Sequence, residues 1–171
     1  PNIRTLIIIG GEKFGVIEFD EHGNYSEYRG NTSCAAGTGG FLDQQARRLQ
    51  LAGSHELSEL ALKNVGDMPK IASRCAVFAK TDLIHVQQEG YNIHEICDGL
   101  CYGLARNIAD TLFASKKPAE PVAVVGGVSL NKAVVKHLEA ILGVDIIVPK
   151  FSHLYGSLGA AFTCISNNQA N

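Results

Sequence analysis

Three features of the 171-residue sequence predict an α/β fold built on a mixed sheet. Its opening residues hold three strand-like runs separated by glycine and Asx turn signals. The middle of the chain carries apolar residues at helical spacing. The last part alternates strand, helix, strand, helix. That succession makes an antiparallel meander followed by two right-handed crossovers to further strands, with helices flanking the sheet.

Each element has a local cause. Leu6-Ile-Ile-Ile9 is a continuous apolar run, as expected of a strand buried on both faces. Gly10-Gly11 turns the chain into a partner strand, Phe14 to Phe19, and Asp20-Glu-His-Gly23-Asn24 turns it again into a more polar third strand, Tyr25 to Arg29. Phe41 to Leu51 places apolar residues at 41, 42, 46, 49 and 51, near one helical face. Ser54 and Ser58 are candidate caps of a short helix ending at Leu62, and Ser73 of a helix running to Gln88 and stopped by Gly90. Ile93, Ile96, Leu100, Leu104, Ile108 and Leu112 define a long amphipathic helix within Asn92 to Lys116, ended by Pro118 and Pro121. Val122 to Val125 reads as a buried strand, Leu130 to Leu142 as a helix stopped by Gly143, and Val144 to Val148 as a strand closed by Pro149. Gly156 to Ile165 is a small-residue helix, and residues 166–171 read as a frayed tail.

Composition narrows the function. The net charge of −2 gives no electrostatic footprint for nucleic acid or an anionic membrane. No apolar run approaches the ~18 residues of a membrane-spanning helix, and no signal peptide opens the chain. Five cysteines (34, 75, 97, 101 and 164), an odd number without secreted-scaffold spacing, point to a reducing compartment and thus the cytoplasm. The first residue is Pro1, and a strand follows almost at once, so the chain, residues 1–171, is expected to be an excised piece of a longer protein.

The stretch Asn31-Thr-Ser-Cys34-Ala-Ala-Gly37-Thr-Gly39-Gly40-Phe41-Leu-Asp43 concentrates the chemistry. A cysteine precedes a glycine-rich turn, and a helix start follows. Glycines let backbone approach a ligand closely, and a helix start offers unpaired N–H groups and a positive dipole end. Such a place suits a phosphate or a metal-bound thiolate; the plainer alternative is a helix entry beside a buried cysteine. Cys97 and Cys101, four apart on the long helix, read as core thiols, as does Cys164 among small apolar residues. The six histidines show no metal or triad spacing, and His85 and His153 read as surface or packing residues.

Three stretches together carry a family resemblance: the one just quoted, Ser73-Arg-Cys75-Ala-Val-Phe-Ala-Lys-Thr-Asp82, and Val124-Val-Gly-Gly-Val-Ser-Leu-Asn131 with Gly156-Ser-Leu-Gly-Ala-Ala161 behind it. They resemble the BadF/BadG/BcrA/BcrD-type ATPases, which comprise activators of 2-hydroxyacyl-CoA dehydratases and ATPase subunits of benzoyl-CoA reductases. The resemblance implies a ribonuclease H-like lobe of the actin, Hsc70 and sugar kinase superfamily, specifically the second of two lobes. It assigns Cys34 and Cys75 to a 4Fe-4S cluster. Such a cluster usually takes four thiolates, so two per chain imply a homodimer sharing one cluster across its two-fold axis. It places ATP phosphates on the turn Gly10-Gly11-Glu12 and adenosine on Gly126-Gly127, where the plain alternatives are a hairpin turn and a strand-to-helix connection. It further implies ferredoxin or flavodoxin as electron donor and an acyl-CoA dehydratase or reductase as acceptor.

One position departs from the family pattern. Ile8 stands two residues before Gly10, where the family usually carries an acidic side chain. Mg²⁺ requires oxygen ligands or water held by them, and isoleucine supplies neither; Glu12 is the nearby carboxylate that would have to compensate. This departure keeps open a non-catalytic dimerisation or regulatory module. A small-metabolite kinase of the same superfamily is a further alternative, against which the paired cysteine motifs speak.

Overall fold

The computed structural model describes residues 2–31, 38–72, 76–114 and 116–169. Five strands form one sheet in the order β3-β2-β1-β4-β5. Strands β1 (Thr5–Ile9), β2 (Phe14–Phe19) and β3 (Tyr25–Gly30) make the expected antiparallel meander. Strand β4 (Val122–Val125) pairs parallel with β1, and β5 (Ile146–Ile147) parallel with β4. The Asp20 turn closes because its carboxylate accepts the backbone N–H groups of His22 and Asn24 at 2.9 and 2.8 Å. Those bonds, with the Asn24 side-chain amide, hold the Asp20 pKa below the usual carboxylate value.

Burial in β1 alternates, unlike the two-sided burial expected. Thr5, Ile7 and Ile9 are buried on the helix-covered face, whereas Leu6 and Ile8 are only partly covered. A run of identical apolar residues does not report whether both faces of a strand are packed.

Six helices follow among the described residues: α1 (Gly39–Arg48), α2 (Ser54–Leu62), α3 (Ala76–Gln88), α4 (Ile93–Phe113), α5 (Lys132–Leu142) and α6 (Tyr155–Gln169). Helix α4 is the core element. Leu100, Leu104 and Ile108 are essentially inaccessible, and each such side chain contributes about 1.5–3 kcal/mol on burial. Asn92 opens α4 with a full capping box to Glu95. The helix ends at Phe113, with Ala114 left-handed at φ 46°, before the prolines are reached. Helix α5 is capped by Asn131, whose side chain accepts the Val134 N–H at 3.0 Å, and ends on left-handed Gly143 as predicted. Between α4 and α5, His137 Nε2 meets Asp98 Oδ1 at 2.7 Å, while the Asn64 amide donates to Asp98 Oδ2 at 3.0 Å.

Several expectations shift. Gly53, not Ser54, is the N-cap of α2, and Ser58 lies inside that helix, its hydroxyl accepting the N–H of Ala133 at 3.3 Å. Strand β5 is two residues long rather than five. Helix α6 continues to Gln169, beyond the predicted end at Ile165. Cys164 is exposed rather than buried, whereas Cys97 and Cys101 are wholly buried. The proposed Ser73 cap, like Cys34 and Cys75, lies outside the described residues. Among the described residues, no helix is long and apolar enough to cross a membrane.

Candidate functional site

The two glycine turns singled out in the sequence meet at one cleft. Gly10-Gly11 follows the end of β1 and Gly126-Gly127 follows the end of β4, its parallel neighbour. Parallel register therefore brings both turns to the carboxyl edge of the sheet, where open α/β sheets bind ligands. A cleft of about 280 Å³ opens there, lined by Gly10, Gly11 and Gly127 together with Val128, Leu130 and Asn131. Its opposite wall comes from the starts of two helices: Gly39, Leu42 and Asp43 on α1, and Ser54 and His55 on α2.

The glycines differ in what they do. A Cβ on Gly11 or Gly127 would meet no atom within 4 Å, so both turns leave their space to the cleft. Gly126 is different: its φ is +95°, and a Cβ there would overlap the main chain of Ile9, 2.8 Å from the carbonyl carbon. Gly126 thus seats the turn against β1, and Gly127 faces the cleft. Gly39 and Gly40 are a third pair. Their N–H groups donate to the carbonyls of Gly10 and Gly11 at 3.0 and 2.8 Å. A Cβ on Gly40 would come within 2.8 Å of the Gly11 oxygen. Gly39 and Gly40 therefore lie on the Gly10-Gly11 turn, a role their sequence did not distinguish from ligand binding.

Asn131 anchors the cleft wall. Besides capping α5, it receives the Cys101 thiol at 3.8 Å, and its amide reaches the Ser54 carbonyl at 3.5 Å. Two candidate residues stand apart from the cleft lining. Glu12 is exposed at the tip of its turn. Ile8 is half-buried in β1, in register with Val125 and Gly15. Sequence reading did not single out Asp43, Ser54, His55 or Asn131 as site residues. Asp43 sat within a quoted motif, but its convergence with the glycine turns is a tertiary fact.

Among the described residues, no group of three or more His, Cys, Asp or Glu side chains is arranged to hold a metal ion. Cys34 and Cys75 lie outside those residues. The described cysteines have separate characters. Burial raises the Cys97 thiol pKa to about 12 and raises that of Cys101 further. In the 171-residue chain at pH 7.5, a thiol-specific disulfide reagent is expected to modify Cys164 promptly. Cys97 and Cys101 should react only after unfolding, which peptide mapping before and after urea will check.

A mixed five-stranded sheet with flanking helices, and a cleft at its strand ends between glycine turns and helix starts, defines a ribonuclease H-like lobe. The chain belongs to the BadF/BadG/BcrA/BcrD ATPase family, whose profile matches residues 1–163. It is 34% identical to the 2-hydroxyisocaproyl-CoA dehydratase activator of Clostridioides difficile over 161 residues, covering 94% of this chain and 59% of that protein. It is 35% identical over 161 residues to the (R)-2-hydroxyglutaryl-CoA dehydratase activating ATPase of Acidaminococcus fermentans, covering 94% and 60%. The solved structure of the Clostridium difficile activator with bound ADPNP superposes with a TM-score of 0.90 at 30% identity, over 99% of this chain and 62% of that one. The chain thus spans about three-fifths of the length of these relatives.

Proposed function

We propose that this chain is the cluster-bearing lobe of an ATP-driven electron-transfer activator that serves an acyl-CoA dehydratase or reductase. The observation that carries the reading is the joint between the Gly10-Gly11 turn and Gly39-Gly40. Two N–H to carbonyl bonds tie the turn assigned to phosphates to the segment that leads directly from Cys34. In this reading a displacement of the Gly10-Gly11 turn is passed through these bonds to the start of α1. Relatives named as dehydratase activators and an activating ATPase support both the nucleotide and the partner class.

In this reading Gly11 and Gly127 admit a nucleotide against bare backbone. Leu42, Val128 and Leu130 offer apolar contact to a base, and Asp43 and Ser54 offer polar groups to a ribose. Cys34 and Cys75 of two protomers would hold a 4Fe-4S cluster, which supplies one-electron chemistry when bound. The donor would be ferredoxin or flavodoxin, and the compartment the reducing cytoplasm.

The test is anaerobic reconstitution of the whole protein with iron and sulfide. The wild type is expected to form a brown dimer, with iron retained in Ser73→Ala and lost in Cys34→Ala and in Cys75→Ala. A colourless protein whose iron content ignores both cysteines would sink the proposal.

Ile8 favours a second reading, a dimerisation or regulatory module that keeps the cluster but has no ATPase activity. Ile8, half-buried in β1 in register with Val125 and Gly15 and two residues before Gly10, offers no oxygen to Mg²⁺. Nucleotide titration of the whole protein decides between the two. The leading reading predicts saturable ATP binding and Mg²⁺-dependent hydrolysis. Cluster retention without any ATP affinity would establish the module.

A further inference from the structure

The cleft distributes its polar chemistry unevenly. Asp43 is the one carboxylate among its lining residues, which include no lysine or arginine. Among the described residues, neither Asp43 nor the Ser54 hydroxyl has a hydrogen-bond or ion-pair partner. A carboxylate accepts hydrogen bonds and donates none, so a ligand must bring donors to it. Asp43 stands one helical turn along α1 from Gly39, whose N–H holds the Gly10 carbonyl. That rise, about 5.4 Å, sets its negative charge back from the turn assigned to phosphates. Next after the phosphates in a nucleotide comes the sugar, and a ribose offers two neighbouring hydroxyl donors to the two carboxylate oxygens.

The far end of the cleft has a different character. Leu130 and His55 line it from opposite walls, Leu130 54% exposed and the His55 side chain 82%. An isobutyl group and an imidazole ring pack against the face of a base, and every base has such a face. Reading a base by its edge instead requires fixed donors and acceptors. Asn131, the only carboxamide of the lining, is 5% exposed and already committed. Its oxygen accepts the Val134 N–H and the Cys101 thiol, and its amide donates to the Ser54 carbonyl. The Ser54 hydroxyl rotates to donate or accept and so favours no particular edge.

We infer that this cleft chooses a nucleotide by its sugar and not by its base. Asp43 takes the vicinal hydroxyls of a ribose, and Leu130 and His55 hold a base of any kind by its faces. The ligand class is ribonucleoside phosphates at large. The inference rests on the nucleotide reading above and extends it to specificity.

Calorimetric titration of the whole protein with ADP, GDP, CDP, UDP and 2′,3′-dideoxy-ADP is the test. The four ribonucleotides are expected to bind within about tenfold of one another. Dideoxy-ADP should bind at least about tenfold more weakly than ADP, as the loss of hydrogen bonds to a charged group implies. Asp43→Ala should bring ADP and dideoxy-ADP to equal affinity, which a merely structural defect would not do. His55→Ala should weaken all four ribonucleotides by a similar factor, roughly fivefold or more. Both side chains are exposed, so both variants are expected to keep the urea midpoint of the wild type. A preference of about tenfold or more for one base overturns the inference and leaves the nucleotide reading standing. Equal wild-type affinity for ADP and dideoxy-ADP, or a sugar preference that survives Asp43→Ala, does the same. Weak UDP beside tight ADP, GDP and CDP would assign Asp43 to the exocyclic amine of a base and overturn it as well. Should none of the five bind, the nucleotide reading itself falls, and the inference with it.

Discussion

Gly126→Ala is expected to cost this protein about 3–5 kcal/mol of stability, a large part of the ~5–15 kcal/mol available to a domain. Two costs coincide. The residue sits at φ +95°, where an L side chain is strained, and its Cβ would overlap the Ile9 main chain. Ile9 yields poorly, because it is buried in β1, the central strand, and paired with Phe14 of β2. Moving Gly126 instead breaks its bond to the Ser152 carbonyl, 3.0 Å long, and loosens the root of α6. Urea denaturation followed by circular dichroism will measure the loss. A variant within 1 kcal/mol of the wild type would show that the turn relaxes freely.

Gly127→Val, one residue on, should have the opposite profile. Its Cβ meets nothing within 4 Å, and its φ is not in the left-handed range, so the fold should keep its stability to within about 1 kcal/mol. The valine methyls would instead fill the cleft beside Gly10, Gly11 and Leu130. Nucleotide affinity of the whole protein is expected to fall at least tenfold, about 1.4 kcal/mol or more. Calorimetric titration with a non-hydrolysable ATP analogue will read it. Unchanged affinity would remove this cleft from the nucleotide site. The pair of substitutions separates a glycine kept for packing from a glycine kept for a ligand.

Much of the architecture was legible in the chain. Gly10-Gly11 and the Asp20 turn predicted the meander, and the three- and four-residue spacing from Ile93 to Leu112 predicted α4. Gly90 and Gly143 marked where helices stop, because left-handed backbone selects glycine locally. Errors fell where tertiary packing overrides local signals. The run Val144 to Val148 has strand composition, yet only Ile146 and Ile147 find ladder partners on β4. Ser54 and Ser58 have capping chemistry, but Gly53 takes the cap position, and Ser58 serves α5 instead. Cys164 sits among small apolar residues, yet α6 stands clear of the core.

The glycine-rich stretch after Cys34 shows the same division. Sequence alone determined the elements, the order of the strands along the chain and the identity of the family, because periodicity, turn residues and linked motifs are local properties. It marked the glycines at 10, 11, 39, 40, 126 and 127 without separating their roles. Only the tertiary structure decided those roles. Parallel pairing of β1 and β4 put two turns at one sheet edge, and Gly40 came to rest against the Gly11 carbonyl. Gly126 came to rest against Ile9, while Gly11 and Gly127 were left facing open space. The physical reason is that glycine records only the absence of a Cβ. Whether that absence admits a neighbouring strand, another turn or a ligand is fixed by which backbone the fold brings within 3 or 4 Å of it.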